Sequence, residues 1–504
     1  MAGKPNYAGC HGLSARDAAF PLTSALADRM VFWEPRQRMA TSSKQQIPRR
    51  KFLAHTAASV AGVTLACGAG GGSSQPGLRA GEAVVDITPP VGTELGGFHR
   101  KPGNERRVRA IRQPTVARAL VLEHGSMRAA IISLEVACVG RELANRIRTQ
   151  VAEKTGILAE HVRVTCTHTH SMPAFCFLRQ WGGIPQEYMA TVQQRAVEAA
   201  CRACEDVGPA ELLVGTARAV GGNHNRTTKT FQTDEKFGPN ATDGTRWLDT
   251  TVHALLLPRA RKRTLCWYHF SAHAVCYADE SAGPDWPGEV AELVRNHEKL
   301  DPGFLQGHCG DVNPGDGSDW RGEIRQTVSA IYPAVKEAIA KAVAVRSAPL
   351  QSLREEFRIP YDLDRFRSWL ERYRQDPKAC TSGAWVDAEF AEDWFRGNVA
   401  RDLKETHLPI PLSALRVGEV GMLFHPTELY SFYGLAIRRD APFRHTLVVG
   451  YTDDMVGYLP DPKAYEAGEY AALTVPKILD YPPYAPTAAR QMTAAAIRLL
   501  ARLR

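Results

Sequence analysis

The sequence predicts a mixed α/β domain of several layers, with β-sheets flanked by helices. Three observations lead there: short β-branched and apolar runs bounded by turn residues, helical-period stripes alternating with them, and no long Pro-rich linker within residues 80–504. Residues 83–87, 117–123, 129–134 and 162–166 are the first strands, punctuated by Pro89-Pro90 and His124-Gly125. Leu143, Ile147 and Val151 recur every four residues after Gly140 and place an apolar stripe on a helix over 141–154. The same pattern predicts helices at 187–205, 288–298, 325–345 and 487–503. Further strands are expected at 212–216, 252–257, 265–269, 420–424 and 446–449. Residues 364–405, aromatic-rich and charged, form a helical insertion that serves either as a lid or as a side-packed subdomain. No internal repeat is visible, and low complexity is confined to a glycine-rich stretch near residue 70.

A chain of 504 residues with 44% hydrophobic and 23% charged content is globular in composition, which excludes fibrous and disordered classes. The net charge of +8 is concentrated in residues 1–67, which hold nine Lys/Arg against three Asp/Glu. The remainder is 53 basic against 51 acidic, so no electrostatic footprint for nucleic acid remains. The eleven cysteines are scattered, and no pairing can be read from them. Cys201 and Cys204 form a C-x-x-C within a helical run and read as small core side chains.

Pro48-Arg49-Arg50-Lys51-Phe52-Leu53 precedes a small-residue apolar run, 57–66, too short to span a bilayer. The pattern is that of a twin-arginine export signal over 39–67, followed by a Gly/Ser-rich tether over 68–80. Residues 1–38 precede a leader that begins at Met39 and are expected to carry no function. Leu65-Ala66-Cys67 leaves two mature forms open, a lipoprotein anchored through Cys67 and a cleaved periplasmic protein.

Chemistry-bearing residues collect just past strand ends. Thr167-His168-Thr169-His170-Ser171 follows the strand at 162–166, delivering two imidazoles and three hydroxyls together. Beyond the strand end one imidazole can ligate a metal while the other faces substrate. A second cluster, His269-Phe270-Ser271-Ala272-His273, follows another strand, and Gly307-His308-Cys309-Gly310-Asp311-Val312-Asn313-Pro314-Gly315 reads as a tight polar turn too rich in Gly and Pro for strand or helix. His425-Pro426-Thr427-Glu428 ends the strand at 420–424, and the segment from Gly450 to Pro460, including Tyr458, ends the strand at 446–449.

Val85-Asp86-Ile87-Thr88-Pro89-Pro90-Val91-Gly92-Thr93, then Ala117-Arg118-Ala119-Leu120-Val121-Leu122, then Thr167-His168-Thr169-His170-Ser171 occur in the order and spacing of the neutral, non-lysosomal ceramidase catalytic domain, which residues 81–470 resemble. The resemblance implies a ceramidase-like catalytic domain over 81–504. It also implies one Zn²⁺ held by His168, His273, Glu428 and Tyr458, in a site that hydrolyses an amide. Where the family has Gly-Asp-Val-Ser-Pro-Asn, with serine as nucleophile, this chain has Gly310-Asp311-Val312-Asn313-Pro314-Gly315, and an asparagine amide cannot attack. The chain also ends near the point where the family's C-terminal immunoglobulin-like domain starts.

Imidazoles, a carboxylate and a phenol oxygen suit zinc with an open position, which lowers the pKa of a bound water to about 7 and makes serine dispensable. His170 and Arg226 are then expected to hold the developing oxyanion, with Asn313 donating or positioning through its amide. The expected function is an exported zinc hydrolase cleaving an amide or ester of an N-acyl lipid or ceramide-like substrate, with no protein partner. A metal-dependent enzyme acting on a sugar or polyol derivative and a non-catalytic periplasmic binding protein of the same fold are the competing readings.

Overall fold

Two five-stranded sheets and one four-stranded sheet carry the fold, and the chain builds all three by the same path. The computed structural model describes residues 77–381 and 388–504. In the first sheet Arg79–Asp86, Val116–His124 and Met127–Leu134 pair antiparallel, and after the helix Arg141–Thr155 the strand Val162–Cys166 returns parallel to Met127–Leu134. Leu213–Arg218, Thr251–Arg259 and Lys262–Phe270 repeat the path, followed by the helix Trp286–Glu298 and the parallel strand Pro302–Gln306. Leu350–Pro360, His407–Val417, Val420–Phe424, the helix Ser431–Asp440 and the parallel strand His445–Val449 make the third copy. Short strands at Gly208–Pro209 and Val343–Ala344 complete the edges of the first two sheets.

Period-2 alternation explains the layering. Leu120, Leu122, Ala129 and Ile131 of the first sheet, Leu255, Leu257, Leu265 and Trp267 of the second, and Leu415, Val417, Met422 and Leu447 of the third point into one shared apolar centre. The intervening residues face helices: Ala119, Val121, Ala130 and Ile132 cluster with Val192, Ala196, Ala199 and Ala203 of the helix Gln186–Glu205. Ala414, Leu423 and Val448 likewise meet Ile437 and the Met492, Ala496 and Leu500 stripe of the helix Ala488–Ala501. The returning strands are buried almost throughout, with only His445 partly exposed, and they carry polar residues such as Arg163, Thr165 and Gln306 into the interior.

The three returning strands lie at sheet edges, and their C-terminal ends tie the sheets to one another. Cys166 N donates to Tyr451 O at 3.2 Å, Gly450 N donates to Gln306 O at 3.0 Å, and Asp453 N donates to Val164 O at 2.7 Å. The Gln306 amide donates to the carbonyls of Thr167 and Ala272 at 3.1 and 2.9 Å. Each edge is thereby closed by its neighbours.

The insertion forms helices Leu363–Gln375, Pro377–Thr381 and Ala388–Asn398, with 382–387 outside the described residues. Phe366, Leu370, Trp394 and Phe395 bury against the third sheet's outer core, so it is packed from the side. Lys477 seats its ammonium 4.2 Å from the Trp369 ring, and burial draws its pKa down to about 8.

Two expectations are corrected. The helix expected over 325–345 ends at Ala340, because Val343–Ala344 pairs with Leu213 and Val214 as an edge strand. Val312–Pro314 is a strand within the predicted turn, pairing antiparallel with Asn223–Asn225 so that His224 faces Asn313. Proline is tolerated there because it ends the strand. Cys201 and Cys204 pack partly buried against the core as free thiols, in accord with the sequence reading. The leader, the N-terminal extension and most of the tether lie outside the described residues, and Arg79 and Ala80, the tether's last two residues, already belong to the first strand. Among the described residues no helix is long and apolar enough to cross a membrane.

Candidate metal centre

The residues just past the strand ends converge where the three sheets meet. His168 lies two residues beyond Val162–Cys166 and Tyr451 two beyond His445–Val449, and both adopt positive φ, 59° and 52°. Those turns bring the imidazole and phenol rings into a stack, 4.1 Å between centroids. Non-glycine residues occupy this region at a cost, which the interlocked strand ends sustain. Glu428 and Tyr458 sit opposite each other in a two-residue parallel ladder, Glu428–Leu429 with Tyr458–Leu459.

The hydrogen bonds fix the imidazole tautomers. His168 Nδ1 lies 2.7 Å from Ala137 O, and His273 Nδ1 lies 2.9 Å from Val312 O. A carbonyl only accepts, so each Nδ1 carries the proton and each Nε2 presents a lone pair. His273 Nε2 then stands 3.1 Å from Glu428 Oε2, and His168 Nε2 stands 3.7 Å from the same oxygen. Burial draws the His168 pKa down to about 4 and His273 well below the ordinary range, while it raises that of Glu428. Two unprotonated nitrogens thus face a buried carboxyl group, a donor set suited to a cation. The Tyr458 hydroxyl is 3.4 Å from His273 Nε2 and accepts from Arg226 Nη2 at 2.6 Å.

His170 is drawn into the same cluster. Its Nε2 is 3.1 Å from His168 Nε2, and the ligand atoms of His168, His170 and His273 all lie within 4.8 Å of one another, a group suited to a metal ion. The left-handed turn at His168 cancels the i, i+2 separation of an extended chain and brings the two imidazoles together. His170 Nδ1 is buried with no hydrogen-bond partner among the described residues, and burial holds the ring's pKa well below its usual value. Gly97, at φ 91°, admits this ring, since a Cβ there would come within 2.6 Å of His170 Cγ.

Asn313 spends its side-chain amide on protein groups. Its Nδ2 donates to Trp320 O and its Oδ1 accepts from Arg226 Nη1 at 3.3 Å, so it acts through Arg226. The turns at Gly315 and Gly322, both with positive φ, frame the Trp320-bearing loop. Arg226 also donates to Gly310 O at 2.8 Å, fixing its guanidinium beside Tyr458.

Sequence reasoning missed Tyr451, whose hydroxyl is 3.4 Å from Glu428 Oε2 and 3.0 Å from Cys309 Sγ. It also missed the wall of the site. A cavity of about 50 Å³ touches His168, His170, Glu428 and Tyr458 and is otherwise faced by apolar and aromatic residues such as Leu178, Trp181, Met455 and Tyr470. Outside it, a basin of about 600 Å³ runs past Phe98 to Asp393 and Arg396 of the insertion, and Phe98 packs edge-on against His170 at 5.1 Å. A further surface cavity, about 680 Å³ around Tyr188 and Arg195, contains none of the candidate residues.

Residues 78–311 match the family model for neutral/alkaline non-lysosomal ceramidase, N-terminal, and the resemblance carried by the sequence motifs is thereby shown. No curated protein matches the sequence. The fold is similar to that of neutral ceramidase from Pseudomonas aeruginosa, with a TM-score of 0.64 at 17% identity over 85% of this chain and 75% of that one. A ceramidase complexed with C2 gives a TM-score of 0.63 at 17% identity, covering 86% and 76%.

Proposed function

We propose that this chain, which resembles neutral ceramidase in its N-terminal half and shares that enzyme's fold, is a metal-dependent hydrolase of an amide or ester in an N-acyl, ceramide-like lipid. The observation that carries the reading is the pair of bare Nε2 atoms turned on the buried Glu428 carboxylate. The proposed ligands are His168, His273, Glu428 and Tyr458, a nitrogen and oxygen donor set that zinc accepts. A zinc ion bound there supplies Lewis acidity and lowers the pKa of a coordinated water.

The chain's own residues do the rest. Arg226, held by Gly310 O, Asn313 and the Tyr458 hydroxyl, places a fixed positive charge beside the phenol and stabilises negative charge developing there or on a substrate oxygen. His170 offers a nitrogen with no hydrogen-bond partner among the described residues, suited to exchanging a proton with the substrate. Leu178, Trp181, Val475, Ile478 and Leu479 exclude water and favour an apolar substrate portion, which supports an acyl group over a sugar or polyol. Export through Arg49 and Arg50 and anchoring through Cys67 belong to the same proposal and are supported by the sequence pattern alone.

The test is metal analysis of the purified full chain together with hydrolysis of labelled ceramide, short N-acyl amides and sugar esters. Stoichiometric zinc and chelator-sensitive cleavage of the N-acyl substrates are expected. Cleavage that persists in metal-free protein would overturn the metal assignment, and activity confined to sugar esters would overturn the substrate class.

A further inference from the structure

A second chemical feature adjoins the histidines and takes no part in the proposed hydrolysis. The nine described cysteines are thiols in the structure, and two of them, Cys138 and Cys176, bring their sulfurs to 2.6 Å. Thiols are weak donors and weak acceptors, so a hydrogen bond accounts poorly for so close an approach. The backbone explains it. Cys138–Val139 and Ala174–Phe175 form a two-residue parallel ladder, with Cys138 opposite Ala174 and Cys176 next along the chain. Two flanking bonds hold the ladder, Ala137 N to Pro173 O at 3.1 Å and Gly140 N to Phe175 O at 3.0 Å. The sulfurs stand about half an ångström outside the bonded distance of about 2.05 Å, so closure needs only a small approach of the two sulfurs.

We propose that Cys138 and Cys176 form a disulfide that staples the segment bearing His168 and His170. The covalent loop it closes contains the helix Arg141–Thr155, the strand Val162–Cys166 and both histidines. One anchor, Cys138, directly follows Ala137, whose carbonyl fixes the His168 tautomer, so the staple pins the same backbone that orients the imidazole. This inference rests on the sulfur and backbone geometry and stands apart from the metal assignment.

The chemistry balances with a small disulfide as oxidant. One thiolate attacks a sulfur of oxidised glutathione and releases one reduced glutathione; the second thiolate then attacks the mixed disulfide at the protein sulfur and releases another. The protein dithiol loses two electrons, and its two protons leave on the glutathione thiols. Cys138 is 1% and Cys176 8% exposed, and the contact with Cys138, reinforced by burial, pushes the Cys176 thiol well above its usual range. The folded dithiol is therefore poorly reactive, and the folded disulfide resists reductants for want of access.

The experiment refolds the purified full chain from denaturant with oxidised glutathione, so that both thiols are accessible while the fold forms, then denatures it in iodoacetamide without reductant and maps the digest by mass spectrometry. The expected result is the Cys138 peptide recovered joined to the Cys176 peptide, with a melting midpoint a few degrees above that of the reduced chain. In the double variant Cys138→Ala/Cys176→Ala, added reductant should no longer shift the midpoint. Recovery of both cysteines alkylated after oxidative refolding, or joined to other partners such as Cys166, would overturn the proposal. A linked pair whose reduction leaves the midpoint unchanged would overturn the staple's role.

Discussion

Two short parallel ladders flank the histidines, identical in construction and opposite in content. Glu428–Leu429 with Tyr458–Leu459 and Cys138–Val139 with Ala174–Phe175 each lie between the third strand of a sheet and the following helix, and each pairs with the chain just past the returning strand. Cys138 thus stands in the first sheet where Glu428 stands in the third, and His168 stands where Tyr451 does, both at positive φ. One ladder presents a carboxylate opposite a phenol; the other presents a thiol opposite a methyl group, with a second thiol beside it. The path supplies equivalent positions twice, and the side chains alone divide them into a polar donor set and a sulfur pair.

The sharpest way to break this contrast is Glu428→Gln, which keeps the shape and removes the charge. Metal content should fall with an affinity loss of more than about 100-fold, above the range for residues that only orient ligands, and hydrolysis should fall with it. Retention of full metal by the Gln variant would show that the three histidines suffice. Acid tests the same side of the comparison through the metal-free chain. His168 keeps its proton off in the folded state down to about pH 4, against an ordinary value of 6.5. The unfolded chain therefore binds the proton first, so stability is fully present above pH 6.5 and is lost as pH falls toward 4, by on the order of 3 kcal/mol from this residue. Glu428, with its raised pKa, pulls the opposite way and softens the loss. Denaturant titration across that window should show the decline, and a flat profile would contradict the burial argument.

Asn313→Ala should lower kcat by about 10-fold with little change in metal content, because it frees Arg226 without touching a ligand. Asn313→Ser should not create strong ceramide hydrolysis, since Asn313 is bound to Trp320 O and Arg226 and does not reach the cluster. The smallest effect belongs to Tyr451→Phe, which keeps the stack on His168 and removes a 3.4 Å contact with Glu428 and a 3.0 Å contact with Cys309 Sγ. Less than about a 3-fold change in kcat/KM is expected, in line with the low end of a net hydrogen-bond contribution, about 0.5 kcal/mol.

Much of this was legible in the sequence for a physical reason. Strands rich in β-branched and apolar residues end in polar motifs, so the segments holding 168, 273, 428 and 458 stood out, while the choice of those four as ligands came from the family resemblance. What the sequence hid was positional. The left-handed turns at His168 and Tyr451 carry no glycine to announce them, so the convergence of His170 and the role of Tyr451 were invisible. Val312–Pro314 is a strand only because Asn223–Asn225, far away in sequence, offers it a partner. The threefold path went unseen because topology is repeated while residues are not. The cysteine pair was beyond reach for the same reason, since its two sulfurs meet through a ladder two residues long.

The interlock of the three returning strands also sets a timetable for the chain. Asp453 Oδ1 accepts from Val164 N across 289 positions, and the last sheet supplies the atoms that cap the first. During synthesis the first two sheets can assemble early, but their edges at Val162–Cys166 and Pro302–Gln306 wait uncapped until His445–Val449 has emerged. Such distant pairings make folding slow and leave open strand edges exposed to other chains in the interval. A ribosome-bound intermediate ending before residue 445 should therefore aggregate and hold no metal, and the finished molecule acquires its chemistry and its resistance to association in one late step.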